Sequence, residues 1–325
     1  MADPTPIRET VPRISDAEIA AYLLHERESA FIVEPGEFLS DVLDEFVDKP
    51  PGPPTTPFPK WAGRMDFRPG ELTVWAAYNS HRKSMLIGQL VLYWLATGRR
   101  CCIASMEMPP RRTLKRMAVQ AARSKKPSTA YLVRWMNWVS LDLRLYDQQG
   151  TISPDRIVSL IRYYGGALKG EFIVIDSLMK CGIAEDDSPG LQRFMNELTS
   201  AARDTGCHVI LVHHVRKAQD ESKIPGKMDL KGTGNISDQA DNVVIQWIDK
   251  KLADEQSKGI APTDKPHGYL VVEKQRFGEW EGAIPLFFDE ESLHHLDYDR
   301  DRPFNWEQIR TPTPRQSAPR EPGQD

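Results

Sequence analysis

Between residues 71 and 277 the chain alternates short, unbroken apolar runs with longer stretches of helical length, and this alternation constrains the fold more than any other feature. The apolar runs are ELTVWAA (71–77), RCCIASM (100–106), EFIVID (171–176), CHVILVHH (207–214), NVVIQWI (242–248) and YLVVEKQRF (269–277). Helical stretches fall at 84–96, 110–124, 154–168 and 189–204. A strand that is apolar at every position needs cover on both faces. Helices interposed between parallel strands supply that cover. The pattern therefore predicts an α/β domain with a mainly parallel central sheet flanked by helices.

Breaker residues set the borders of this domain, predicted to span 61–298. Residues 1–60 carry helical patterns at 16–28 and 35–47 and end in KPPGPPTTPFPK, which reads as an extended linker. In the second pattern Phe38, Leu39, Val42, Leu43, Phe46 and Val47 recur at helical spacing, the pattern of a linker helix over 36–47 with one apolar face. Residues 299–325 have the composition of a disordered tail. No uncharged apolar stretch reaches 18 residues and the N-terminus lacks the apolar core of a signal peptide, so a cytoplasmic protein without a membrane span is expected. Cys101, Cys102, Cys181 and Cys207 form no CxxC pair and no zinc-type spacing; buried free thiols are expected. The formal net charge of −4 means that any nucleic-acid surface must be a local concentration of basic groups.

Three segments carry chemistry. AAYNSHRKS (76–84) joins a predicted strand to a predicted helix, the place where an α/β sheet holds phosphate on a helix N-terminus. Lys83 and Ser84 fit the closing Lys-Ser/Thr of a phosphate loop, whereas Ala77 and Arg82 stand where that pattern has glycine. IVID ends a strand on Asp176, suited to support a magnesium ion. SMEM places Glu107 just past the next strand, suited to orient an attacking water. Taken singly these segments are ordinary: many strands end in Asp, and a loop Glu is commonly just solvated.

Their order along the chain is not ordinary. AAYNSHRKSML, CCIASMEMPPRRTL, EFIVIDSL, HVILVHHVRK, DLKGTGNISDQADNVV and VVEKQRFGEWEG together resemble the motif set of the ring-shaped replicative helicases, the family of bacterial DnaB, phage primase-helicases and mitochondrial Twinkle. The resemblance spans roughly 62–298 and implies a RecA-like phosphate-loop motor. It implies that Ala77, Tyr78, Asn79, Ser80, His81, Arg82, Lys83 and Ser84 wrap a nucleotide, with Lys83 on the outer phosphates. Ser84 and Asp176 would hold Mg²⁺, Glu107 would activate water, and His214 would sense the γ-phosphate. Lys274 and Arg276, two apart on one strand face, would reach into a neighbouring subunit's site, the arginine acting as a finger. The basic, glycine-bearing stretch after His214 would line a channel for single-stranded DNA through Arg216, Lys217, Lys223, Lys227, Lys231, Gly232 and Gly234. With no aromatic interleaved there, backbone contacts of little sequence preference are expected. His213 should face away from His214 and is read as structural.

The resemblance further implies ATP, dTTP or another nucleoside triphosphate as substrate, a homohexameric ring, and dealings with primase, polymerase or single-strand-binding protein. A phage-type helicase without a primase module is the expectation, since about 60 residues lacking zinc-type cysteines precede the motor. Two departures stand out. Arg82 replaces the glycine before the lysine, and DQAD (238–241) inverts the expected Gln-before-acid order, leaving Gln239 without an assigned role. Alternative functions are a RecA/RadA-like recombination ATPase, or a DNA-binding ring made inert by Arg82.

Overall fold

Side chains along the inner strands leave the backbone alternately to two apolar layers, and both layers are closed. In a computed structural model, which describes residues 35–45, 55–184, 186–216, 221–231, 234–262, 264–299 and 301–303, strand β1 (Leu72–Ala77) sends Leu72, Val74 and Ala76 to one layer and Trp75 to the other. Strands β4 (Phe172–Asp176) and β5 (His208–His214) divide in the same way: Ile173, Ile175, Val209 and Leu211 face one side, Phe172, Val174, Ile210 and Val212 the other. Each such side chain contributes about 1.5–3 kcal/mol by leaving water.

The sheet has nine strands in the order β3-β2-β4-β5-β1-β6-β7-β8-β9, the others being β2 (Cys101–Ser105), β3 (Leu143–Leu145), β6 (Asn242–Ile248), β7 (Gly268–Gln275), β8 (Gly282–Asp289) and β9 (His294–Leu296). The first six in that order are parallel to their neighbours, and β7, β8 and β9 continue the sheet antiparallel. The expected mainly parallel α/β architecture is thus the one observed.

Apart from the short helix α1 (Leu39–Glu45), the longer helices sort by face. Helices α2 (Lys83–Ala96), α3 (Pro110–Ala122) and α4 (Thr129–Asp142) cover the Trp75 side; α5 (Pro154–Arg162) and α6 (Ser188–Thr205) cover the Leu72 side. α5 continues as a π-helical turn, Tyr163–Ala167, so the single helix read over 154–168 is two pieces. Short helices α7 (Asn235–Gln239) and α8 (Lys250–Ser257) flank β6. Among the described residues no helix is long and apolar enough to cross a membrane. All four cysteines are buried free thiols, with burial raising each pKa.

Two border readings change. Residues from Thr55 onward already belong to the body: Phe58 and Trp61 are buried and stack at 4.6 Å, and the Trp94 indole donates to the Thr55 carbonyl at 2.8 Å. The aromatic residues in PFPKW anchor that end of the linker, a signal that its prolines conceal. In α1 the side chains of Leu39, Val42 and Leu43 are exposed rather than laid on the body. Phe46, Val47, the 16–28 helix pattern and the tail from 304 lie outside the described residues.

Candidate nucleotide site

Parallel strands place all their C-terminal ends along one edge of the sheet, and four neighbouring ends, β2, β4, β5 and β1, collect the expected catalytic residues there. Glu107 follows β2, Asp176 closes β4, His214 closes β5, and Lys83 opens α2 after β1. The lysine is nearly buried. Its Nζ donates to the carbonyls of Ala77 (3.2 Å) and Tyr78 (3.4 Å) and lies 3.4 Å from His214 Nδ1. His214 Nε2 is 3.3 Å from Glu107 Oε1. With the ring proton on Nε2, one tautomer serves both contacts, accepting from Lys83 and donating to Glu107.

Electrostatics follow from this crowding. Burial lowers the Lys83 pKa to about 8, opposed by the charges of Asp176 and Glu107. Glu107 is held down to about 2, first by the His214 hydrogen bond and then by the Ser177 hydroxyl, which donates to Oε1 at 2.5 Å. Asp176, almost fully buried, is pushed up by desolvation and by the nearby Glu107 carboxylate. Ser105 Oγ donates to Asp176 Oδ2 at 3.3 Å and accepts from the Met108 amide at 3.1 Å, fixing the turn that carries Glu107. Sequence reasoning misses Ser105 and Ser177. The only signal for them is a hydroxyl residue at a strand end, too common to single out.

Ser84 is half-buried on the first turn of α2, and with Asp176 it offers one hydroxyl and one carboxylate at the strand edge. That hard-oxygen pair fits Mg²⁺, which keeps most of its waters and takes further ligands from phosphate. Among the described residues no cluster of three or more His, Cys, Asp or Glu residues forms an all-protein metal site.

The loop before α2 is only partly aimed at the pocket. Asn79 and Ser80 are exposed at its tip, while Tyr78 is buried in the core. His81 turns away: its Nδ1 accepts from the Ile248 amide at 2.9 Å, and burial lowers its pKa to about 4. Its side chain belongs to the packing against β6, not to the phosphate site. Arg82 explains the usual glycine. Its φ is +63°, the left-handed region in which a side chain costs about 1–2 kcal/mol. The guanidinium leaves the pocket, lying 3.8 Å from the Phe288 ring centroid and 3.5 Å from Glu290 Oε1.

Lys274 and Arg276 sit at the other end of the sheet. β7 is antiparallel to β6, so Gln275 pairs with Asn242, which is level with Thr73 near the start of β1. Arg276 falls one residue beyond β7, yet both cations reach the same turn: Lys274 Nζ donates to the Ser237 and Asp238 carbonyls at 2.9 Å, and Arg276 Nη2 to Asp238 O at 3.3 Å. Asp241, a residue unread in the DQAD segment, anchors this end. Fully buried, it accepts from the Leu72 amide (2.9 Å) and pairs with Arg203 and Arg276, both at 3.4 Å. Gln239 contributes only its carbonyl, to Thr199 at 3.4 Å.

Of the basic stretch, Arg216, Lys223, Lys227 and Gly234 are exposed and Lys231 is half-buried. Lys217 and Gly232 lie outside the described residues. Lys227 is partly committed, donating from its amide to Glu273 Oε2 at 3.1 Å.

A family model described as AAA domain matches residues 36–220. Among solved structures, the ATPase domain of a helicase superposes with a TM-score of 0.66 at 19% identity, covering 82% of this chain and 99% of its own. A DnaB-like replicative helicase, studied with its interactions with primase, superposes with a TM-score of 0.65 at 19% identity, over 81% of this chain and 68% of its own. The RecA-like architecture expected from the motif order is the one these ATPase domains have.

Proposed function

We propose, from the premise that the chain belongs to the AAA domain family, that it hydrolyses a nucleoside triphosphate and uses the cycle to move along single-stranded DNA as a ring-forming helicase motor. The convergence of Lys83, Glu107, Asp176 and His214 at four adjacent parallel strand ends carries this reading. Lys83 offers a nearly buried ammonium whose present partners are two carbonyls and a ring nitrogen, weaker acceptors than a phosphate. Ser84 and Asp176 would hold Mg²⁺, which when bound supplies charge neutralisation across the β- and γ-phosphates.

In the hydrolytic step a water oxygen attacks the γ-phosphorus. The bond to the bridging oxygen breaks, and that electron pair leaves with the nucleoside diphosphate. Glu107 orients the water and takes its proton. The His214 hydrogen bond is the largest influence holding the Glu107 pKa low, so a γ-phosphate that draws His214 Nε2–H to itself raises the basicity of the glutamate as the water arrives. Arg276 would stabilise the transition state of an adjacent subunit's nucleotide. The exposed cations Arg216 and Lys223 would grip DNA phosphates, with Lys227 and Lys231 beside them.

Phosphate release measured with and without single-stranded DNA tests the proposal, with Lys83→Ala as the blank. DNA-stimulated release that the substitution abolishes is the expected result. Release that is absent in both, or unchanged by the substitution, overturns it. Electron microscopy separates rings from the filaments of a recombination ATPase.

A further inference from the structure

The basic stretch is not an independent loop. Residues 227–231 are stitched antiparallel to the continuation of β5, the strand that ends on His214. Arg216 donates its amide to the Asp229 carbonyl at 2.8 Å, Val215 bridges Leu230, and the Lys231 amide donates to the His214 carbonyl at 3.1 Å. Val215 and Leu230 are both buried, so the seam is dry as well as hydrogen-bonded. The last stitch comes from a side chain: His213 Nε2 lies 2.7 Å from the Lys231 carbonyl.

A carbonyl only accepts, so His213 must carry its proton on Nε2. The ring is almost wholly buried among Leu178, Met179, Ile183 and Ile236, away from the phosphate pocket. Along one strand, then, His214 faces the phosphate pocket while its neighbour holds the basic segment by a donor bond. Movement of His214 towards a phosphate shifts the backbone that carries both the Lys231 amide contact and the His213 ring. At its other end the segment is fastened through the Lys227 amide to Glu273, next to Lys274.

We infer that His213 is a positioning residue, transmitting the occupancy of the phosphate site to the segment that carries Lys227 and Lys231. This rests on the proposed reading of that segment as the DNA grip. His213 touches neither nucleotide nor DNA, and acts only by keeping the segment registered on β5.

The test uses the full chain and two substitutions. His213→Leu fills the same apolar surroundings without a donor, whereas His213→Gln places an amide N–H where the imidazole Nε2–H stands. Basal phosphate release and nucleotide affinity are expected to stay within about twofold of the parent in both. Stimulation by single-stranded DNA should fall about tenfold or more in His213→Leu and return in His213→Gln. Hydrogen exchange of residues 227–231 gives a readout independent of DNA. Magnesium with a non-hydrolysable ATP analogue should slow it in the parent and in His213→Gln but not in His213→Leu. Full coupling in His213→Leu overturns the inference, as does a folded His213→Gln that remains uncoupled. If His213→Leu does not fold, the glutamine variant alone decides. A parent that shows nucleotide-dependent exchange but no response to DNA sinks the DNA reading and leaves the positioning role standing.

Discussion

Two variants that are each inactive, Lys83→Ala and Arg276→Ala, should regain hydrolysis when mixed. The expectation comes from the sheet register. Lys83 Nζ sits against the Ala77 carbonyl at the end of β1, whereas Arg276 donates its amide to Asp241, whose own amide donates to Leu72 at the start of that strand. Five residues of extended chain separate Leu72 from Ala77, roughly 17 Å at about 3.3 Å per residue. An outstretched arginine covers less than half of that. Arg276 therefore cannot serve the nucleotide on its own Lys83, and a finger role requires a second copy.

Each substitution alone should lower hydrolysis by about 10³-fold or more, the range associated with loss of an arginine finger. In a mixed assembly, an Arg276→Ala subunit that receives Arg276 from a Lys83→Ala neighbour has a complete site. Random mixing at equal amounts makes about one interface in four of this kind. Phosphate release from the co-refolded mixture should then rise at least a hundredfold above the sum of the two variants. A double variant mixed with either single one should show no such rise. Differently tagged copies captured together establish that mixed assemblies formed. Mixed assemblies with no recovery, or full activity of Arg276→Ala alone, would refute the reasoning.

Lys83 also predicts a pH dependence. Its folded pKa of about 8 lies below the ordinary 10.5, so between those values the unfolded chain holds more of this proton, and the stability of the ligand-free chain gains from Lys83 as pH rises. Phosphate binding needs the ammonium and runs the other way: affinity for a non-hydrolysable ATP analogue should fall about tenfold per pH unit above 8, with uptake of close to one proton by calorimetry near pH 9; a flat profile excludes this role. Arg82→Gly should shift stability by less than about 1 kcal/mol, because relief of the left-handed backbone is offset by glycine's greater unfolded freedom and by loss of the Phe288 contact. Thermal melting checks the balance, and a drop of more than tenfold in phosphate release would show that Arg82 itself handles the phosphates.

Burial on two faces made β1, β2, β4 and β5 legible in the sequence, since no other environment suits ELTVWAA or CHVILVHH. The strand ends then gave Lys83, Glu107, Asp176 and His214. What stayed hidden depends on three-dimensional neighbours. Helix α4 mixes buried Trp135 and Val139 with exposed Val133, Met136 and Leu141, so its periodicity is blurred. The direction of β7 is invisible because alternation is the same whichever way a strand runs. Ser177 matters only because the neighbouring strand in the sheet order brings Glu107 beside it. His81 read as phosphate loop because nothing local reveals that the Ile248 amide waits for its ring.

The reversal of β7 has a consequence for how such a motor is built. Strands that all run one way gather the lysine, the two carboxylates and the histidine along a single edge, because each helix returns the chain to the opposite edge before the next strand begins. A strand entering from that same edge and running back delivers its last residues to the far side. β7 does this, and Asp241, fixed to the Leu72 amide, receives Arg276 there beside Arg203. The two halves of the proposed site are thus mounted rigidly at opposite ends of β1, a fixed distance apart in every copy. No bending of a loop closes that distance within one chain. Placing one copy's Leu72 end against the next copy's Ala77 end closes it without deforming either, and repeats the same junction around an assembly. Hydrolysis at one junction then acts directly on the spacing between copies, which a motor moving along a strand needs.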